Sequence, residues 1–436
     1  MTDTSEHVDS WYAASASPHR TFPKLTGEIA SDVCIVGGGY TGLSTAIHLR
    51  KLGFSVTLLE AERVGWGASG RNGGHVGTGQ RADQEDLEQW VGLGTAKDLW
   101  RLGLEAVDLV VNLIDEFKIE CELGAGNLHL AAKRRHTKGL QEEVEYLGKT
   151  YGYDQMRFID ATETAWMTTA NHHHGALLDL GARHLHPLKY AFGLAKAADL
   201  LGANIFENSR VLSYDESKNG QVQVKTSDGT VNARFLVLAC NGYLGNLEPR
   251  IAGNIMPINN FILATEPLSE AQQAAVCRDN VSLSDTLFVI NYWKLSGDGR
   301  LLFGGGETYG AKFPKDIARF VWPHMLKIYP NLVDVAVEYG WGGTLGITMN
   351  RMPDFGRLGR RTFYAQGFSG HGVPTATMAG YLLAAAISGD TDDFSRMASV
   401  PTRGFPGGTL LRRPGQIAGM LFYSCLLYTS DAADDS

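Results

Sequence analysis

Apolar residues follow Asp32 without a break as far as Val36 and stop at Gly37, which predicts a short buried strand. Leu43, Ala46, Ile47 and Leu49 then recur at helical spacing until Gly53, and Ser55–Glu60 reads as a second strand, so the pattern gives a β-α-β unit. From Asp86 to Phe117, Leu87, Trp90, Leu99, Leu102, Val110, Leu113 and Ile114 are interrupted by charged residues, the mark of amphipathic helices. The stretches 121–132 and 161–180 have weaker periodicity. Pro187–Gly202 predicts a helix with Tyr190, Leu194, Ala197 and Leu201 on one face, a proline at its start and a glycine stop. Strands are expected at Ile205–Val211 and Phe235–Cys240, with a hairpin turn at Ser227-Asp228-Gly229-Thr230 between them. Strand-like runs at 260–266, 286–294 and 300–305, with a Gly297-Asp298-Gly299 turn, predict a separate antiparallel sheet. Phe363–Gln366 is a further strand, followed by a glycine-rich loop and a helix opened by Pro374.

Composition narrows the picture. With 436 residues and 44% hydrophobic, the chain is long enough for two or three domains. Its 39 basic against 47 acidic residues give a net charge of −8 without a long basic run, so nucleic acid is excluded as an expected partner. Cys34, Cys121, Cys240, Cys277 and Cys425 are odd in number and lack a CxxC, which fits a reducing compartment and small buried hydrophobes. The acidic start has no signal-peptide pattern and no run reaches the roughly 18 apolar residues of a membrane span, so the protein reads as cytoplasmic with no integral membrane segment. The pattern is silent on oligomeric state. His172, His173, His174, His184 and His186 raise a metal hypothesis, but three adjacent side chains cannot all converge and no Cys or Glu stands at a familiar ligand spacing. No metal is expected; the histidines read as a polar loop, with His184 or His186 still able to face a cavity.

The chemistry sits in the glycines. Gly37-x-Gly39-x-x-Gly42 lies between the first strand and its helix, and Glu60 ends the next strand 18 positions after Gly42. Gly37 permits the tight turn, Gly39 lets a pyrophosphate approach the positive end of the helix, Gly42 allows close packing, and Glu60 is placed for a ribose. A triplet in that context is a strong dinucleotide signal. The segment Gly65-Trp66-Gly67-Ala68-Ser69-Gly70-Arg71-Asn72-Gly73-Gly74 can wrap a longer cofactor, although Arg71 by residue type could equally be a solvated loop arginine.

This segment resembles the signature of the D-amino-acid oxidase and sarcosine oxidase superfamily of FAD enzymes, most closely its gamma-glutamylputrescine oxidase branch, as does Trp341–Pro353. The likeness runs from about residue 30 to 424. It implies an α/β (α+β overall) fold, with a Rossmann-like FAD-binding domain of residues 26–85, 155–253 and 345–424 interleaved with an antiparallel-sheet substrate domain of 86–154 and 254–344. Residues 1–25, with Trp11 and Tyr12, form an arm across the surface; 425–436 read as a non-native tail. The implied cofactor set is Gly37, Gly39, Tyr40, Thr41, Gly42, Glu60, Ala68, Ser69, Arg71, Asn72, Gly73, Gly74, Val211, Gly367, Gly370, His371, Gly372 and Val373. Val211 could equally be plain core. The Gly367–Val373 loop would turn backbone amides and a helix N-terminus toward the reduced flavin.

The function implied is FAD-dependent oxidation of a small amine resembling gamma-glutamylputrescine. Hydride leaves the amine-bearing carbon, water converts the imine to an aldehyde and ammonia, and oxygen reoxidises the flavin to give hydrogen peroxide. Candidate catalytic residues are His371, as substrate contact or loop support, with Tyr292 and Trp293; Asn291 and Glu307 are further pocket candidates, and such aromatics could equally be core. Sarcosine-oxidase relatives hold a lysine near the flavin that aids oxygen reduction, and Leu301–Gly306 contains none. Two alternatives stay open: a D-amino-acid or secondary-amine dehydrogenase with another electron acceptor, and a non-catalytic flavin-binding subunit.

Overall fold

Two sheets carry the chain in a computed structural model that describes residues 6–16, 20–171, 173–216, 220–287, 289–308, 312–412 and 414, apart from the Glu307 side chain. The first has eight strands. Its path runs Asp354–Leu358, Thr362–Gln366, Gly229–Leu238, Gly27–Val36, Val56–Leu59, Asn204–Phe206. All neighbours on that path are parallel except the first two strands, and the hairpin formed by Ser213–Glu216 and Val222–Lys225 extends from Gly229–Leu238. Val33 stands opposite both Val56 and Phe235. Strands flanked on both sides must be apolar throughout, which is why Val33–Val36 and Val56–Leu59 are buried at every position.

The second sheet has nine strands on the path Val337–Ile347, Met256–Pro267, Arg300–Thr308, Tyr292–Leu295, Ser282–Asp285, Gly124–Leu130, Ala176–His184, His75–Val76, with Met156–Ile159 paired to Ala176–His184. It is antiparallel except where Ser282–Asp285 meets Gly124–Leu130. The mixed α/β architecture is as expected, but the chain shares itself out differently. His75–Val76, Met156–Ile159 and Ala176–His184 were placed with the first unit by sequence, and all three pair into the second sheet. The single strand expected at 286–294 is two, Ser282–Asp285 and Tyr292–Leu295. Asp285 breaks it by accepting from Leu287 N (3.2 Å), Asn291 N (3.1 Å) and Asn291 Nδ2 (2.7 Å), which pins the intervening loop. The strand expected at 205–211 ends at Phe206, because buried Glu207 turns inward to accept from Phe22 N, Val64 N and Arg63 Nε.

The N-terminal arm also departs from expectation. Trp11–Ser15 is a short helix, capped by Ser10, and it is packed into the body. Tyr12 is fully buried, its ring 5.0 Å from that of Trp341 and 4.8 Å from that of His186, and Trp11 Nε1 donates to Asp298 at 3.2 Å. Residues 425–436 and His172 lie outside the described residues. Among the described residues no helix is long and apolar enough to cross a membrane.

Two helices fix the first unit. Tyr40–Lys51 follows the glycine turn, and Gly372–Ser388 packs across it with Gly380 at the contact. A Cβ at Gly380 would stand 2.5 Å from Ser44 Cβ, 2.6 Å from Thr41 O and 2.6 Å from Thr45 N. Two of those atoms are backbone, so the helices themselves would have to separate. Gly380→Ala is therefore expected to cost about 1–3 kcal/mol, read as a lower thermal midpoint of the purified protein. An unchanged midpoint would show that this crossing is not a fixed contact.

Candidate functional site

A cavity of about 650 Å³ opens at the carboxyl ends of the parallel strands, where Val36, Leu59 and Ala239 lie, and is closed from the other side by the second sheet through Asn127, His129, Asn260, Ser284 and Tyr292. Ligands in open α/β sheets settle at that end because helix N-termini converge there.

The glycine turn behaves as its spacing predicts. Gly37 has φ +114°, and a Cβ there would lie 2.6 Å from Ala239 O; one on Gly42 would lie 1.9 Å from Gly37 O. Gly39 leaves the N-terminus of the helix bare, with no side-chain cap, and Ser69 Oγ accepts from Tyr40 N at 3.1 Å. The hydroxyl thus marks where an anionic oxygen would find unpaired amides. Glu60 ends its strand facing the cavity and accepts from Gly38 N (2.6 Å) and Glu62 N (2.9 Å). Burial raises its pKa, against the pull of those amides. Glu62 pairs with Arg210 at 2.6 Å beside Val211, which both lines the cavity and packs against the core.

The signature segment folds over this turn. Arg71 is buried, stacked 4.1 Å from the Trp66 ring centroid, and donates to Trp66 O (2.6 Å) and Gly342 O (3.2 Å). Its Nη2 is buried with no protein partner, and the residue lines the cavity, so it is not a solvated loop arginine. Asn72 spends its amide on the segment itself, donating to Ala68 O and Ser69 O and accepting from Gly74 N at 2.8 Å. Ala68, Ser69, Thr41 and Gly73 also line the cavity, whereas Gly42 and Gly74 act behind the wall.

On the far side, Gly370, His371, Gly372 and Val373 line the cavity at the start of Gly372–Ser388, while Gly367 sits behind it against Thr348 and Ile255. His371 presses on Gly77, where a Cβ would come within 2.8 Å of its Cε1. Burial, helped by Arg81, pushes its pKa down to about 4, so the ring is neutral, and its buried Nε2 has no protein partner. His75, also at the cavity, is pushed to about 4 by burial and bonds Leu283 O through Nε2 at 3.1 Å.

Strand alternation separates the aromatic candidates. Tyr292 faces the cavity over Gly73, its hydroxyl donating to Asn260 Oδ1. Trp293 points to the opposite face of the sheet, stacked on Phe303 with Nε1 donating to Tyr329 OH at 2.9 Å, and is core. Asn291 is spent on Asp285 and does not line the cavity. The Glu307 side chain lies outside the described residues. His184 bonds Asn280 O, and His186 caps the helix Pro187–Leu200 while bonding Ser15 Oγ; neither lines the cavity, and no metal-ligating group of three converges among the described residues.

Other wall residues carry no periodic or motif signal: Arg81, Asp83, Asn127, His129 and Glu143; Asn260 opens the strand-like run 260–266 and Arg351 lies in the resembling segment Trp341–Pro353, but neither is singled out there as a site residue. Lys294 was missed as well. It pairs with Leu302 across two strands and is 1% exposed, with its Cε 3.3 Å from a Cβ built on Gly74. Burial lowers its pKa to about 8 despite Glu122 nearby.

Residues 32–386 match the family model described as FAD dependent oxidoreductase. Over 96% of its length the chain is 39% identical to the gamma-glutamylputrescine oxidoreductase of Escherichia coli strain K12, covering 98% of that protein. It is 39% identical to the probable oxidoreductase OrdL of Rhizobium meliloti strain 1021, over 92% of this chain and 94% of that one. Among solved structures, glycine oxidase from Geobacillus kaustophilus shares the fold with a TM-score of 0.72 at 20% identity, covering 83% of this chain and 95% of its own. The bared helix end, the Glu60 carboxylate and the unspent Arg71 Nη2 all fit FAD, which is the cofactor.

Glu60→Gln converts one acceptor oxygen into a donor while keeping the shape. The expected result is a folded protein whose FAD dissociation constant rises about tenfold or more, measured by flavin fluorescence on dilution. Unchanged retention would move the ribose contact to another residue.

Proposed function

The chain belongs to the family of FAD-dependent oxidoreductases, and we propose that it oxidises a primary amine at the end of an extended polar chain, with gamma-glutamylputrescine as leading substrate, giving an aldehyde, ammonia and hydrogen peroxide. The observation that carries this reading is the 39% identity to the Escherichia coli gamma-glutamylputrescine oxidoreductase, spread over nearly the full length of both chains.

Bound FAD supplies the two-electron acceptor. The protein's part is to hold a neutral amine and keep water out. His371 and His75 are both uncharged at neutral pH, so neither repels a protonated amine on arrival. His371 Nε2, buried and unpartnered, offers an acceptor for an amine N–H. Tyr292, fixed by its bond to Asn260 and by edge contact with His75 at 5.7 Å, forms a rigid aromatic wall of the same cavity. The uncapped N-terminus of Gly372–Ser388 supplies amides and positive dipole to electron density arriving at this edge of the cavity. Loop Gly367–His371 is held in shape by Ser369, which donates to Gly367 O at 3.0 Å and accepts from Thr348 N at 3.2 Å.

Lys294 supports oxygen as the electron acceptor. A buried cation just behind Gly74 stabilises an oxygen molecule that takes on negative charge, and it stands on the strand next to the one where the resemblance sought a lysine.

Anaerobic mixing should bleach the flavin faster with gamma-glutamylputrescine than with putrescine, D-alanine or sarcosine, and admitting air should restore the colour with release of hydrogen peroxide. Faster bleaching by D-alanine or sarcosine would defeat the substrate assignment and leave the family standing. Lys294→Met should slow reoxidation in air by about tenfold or more while changing anaerobic reduction much less. Equal effects on both half-reactions would make Lys294 a packing residue.

A further inference from the structure

The mouth of the cavity carries four charged side chains that the fold does not use. Arg81 and Arg351 both line it, Arg81 senses the charge of Arg351, and among the described residues neither makes a side-chain hydrogen bond or ion pair. Arginines elsewhere that hold the fold together are paired with carboxylates: Arg63 with Glu207, Arg300 with Asp298 and Glu338, Arg396 with Asp98 and Asp393. Arg81 is partly buried and lines the cavity with His371 from the carboxyl-terminal loop and His129 from the second sheet, both of which sense its charge. Two guanidinium groups of like charge on one cavity repel each other, a cost that an incoming anion removes.

Asp83 and Glu143 line the same mouth, one at the start of the helix Gln84–Phe117 and one on His136–Tyr146. Asp83 makes no capping bond, and among the described residues neither carboxylate is in an ion pair. Glu143 is an exposed residue that lines the cavity. Its carboxyl is pushed up to about 7 by loss of water, then by Asp83 and Asp179.

The platform is rigid. Gly79 is at φ +66°, and a Cβ there would strike Trp100 Cζ3 at 2.5 Å, so this loop lies flush on the helix Gln84–Phe117. Gln80 Nε2 donates to Leu99 O at 2.7 Å and Thr78 Oγ1 to Asp179 at 2.6 Å, on either side of Gly79. A charge carried by such a loop is placed before any ligand arrives.

We propose that Arg81 and Arg351 are the receptor for a carboxylate at the far end of the substrate, with Asp83 and Glu143 receiving the ammonium beside it, so that the cavity selects amines that carry an α-amino-acid head. The inference rests on the amine-oxidation reading above and deepens it. A guanidinium pair matches a carboxylate in charge and planar geometry. A plain diamine brings no anion to that pair and leaves both guanidinium groups unpaired, so selectivity comes from a contact the diamine cannot make.

The test compares Arg81→Gln, Arg351→Gln and Glu143→Gln with the parent as FAD-loaded enzymes, on gamma-glutamylputrescine and putrescine. Each arginine change should lower the kcat/KM ratio of the headed to the plain amine by about ten- to a hundredfold, chiefly through KM, with part recovered in Arg81→Lys. Glu143→Gln should lower it less. In parallel, L-glutamate is titrated into the oxidised holoenzyme and followed by the flavin difference spectrum; the parent should saturate and the arginine variants should not. An unchanged ratio with normal turnover of gamma-glutamylputrescine overturns the receptor and leaves the functional reading intact. Loss of FAD from the arginine variants assigns those residues to the cofactor and also overturns it. If no amine reduces the flavin, the functional reading falls and the glutamate titration alone decides: saturation lost in the variants upholds the receptor, and no saturation in the parent overturns it.

Discussion

Everything in the first unit is positioned by one close approach, the helix Tyr40–Lys51 lying on the strand Gly27–Val36 with Gly42 directly over the carbonyl of Gly37. A Cβ at that point would stand 1.9 Å from the oxygen, inside any permitted contact. Because the helix lies this close, its bare N-terminus points out of the sheet end between Val36, Leu59 and Ala239, and the cavity has a positive pole. The second crossing depends on the first. Gly380 can meet Thr41 O and Thr45 N only if the earlier helix is already seated, and that seating aims the N-terminus of Gly372–Ser388 at the opposite side of the same cavity.

What sequence shows best is what a local rule decides. The β-α-β unit, the roles of Gly37 and Gly42, the acid at Glu60, the hairpin at 227–230 and the helix from Pro187 each follow from spacing within about twenty residues. Strand pairing does not. His75–Val76 and Ala176–His184 are a hundred residues apart and meet only because register across the whole second sheet brings them together. Tyr292 and Trp293 show the same limit at the scale of one residue. Their types are equivalent as pocket candidates, and only the parity of the strand sends one to the cavity and the other to the core. Arg81 and Glu143 have still less to betray them, since an arginine or glutamate in a polar stretch reads as solvated surface unless the fold shows what it faces.

The N-terminal arm shows how the two sheets are joined. Tyr12 touches Trp341 of the second sheet and His186, which caps a helix of the first unit, while Trp341 Nε1 donates to Arg71 O in the signature segment at 3.1 Å. A five-residue helix alone is too short to be stable in water, so its order comes from those contacts. The arm thereby braces Arg71, which already holds Gly342, and the wall of the cavity is built jointly by three distant parts of the chain.

The buried cation behind that wall is costly, and its cost has a pH signature that separates it from ordinary packing. Lys294 has a pKa of about 8 in the folded chain against 10.5 for a free side chain, with burial as the main cause. Below pH 8 both folded and unfolded states carry the proton, and the folded state bears a penalty on the order of 3 kcal/mol. The penalty fades as pH rises from 8 to above 10.5, so this group makes the protein gain stability on the alkaline side, the reverse of what a surface lysine paired with a carboxylate would do. A methionine would fill the same space without that penalty. The charge is placed where it weakens the fold at neutral pH, next to Gly74 of the signature segment, and Glu122 offsets it only in part while itself pairing with Lys189 at 2.6 Å. The same low dielectric that makes Lys294 expensive to bury makes its field strong around Gly74, so under the oxidase reading proposed above its cost and its use have one physical source.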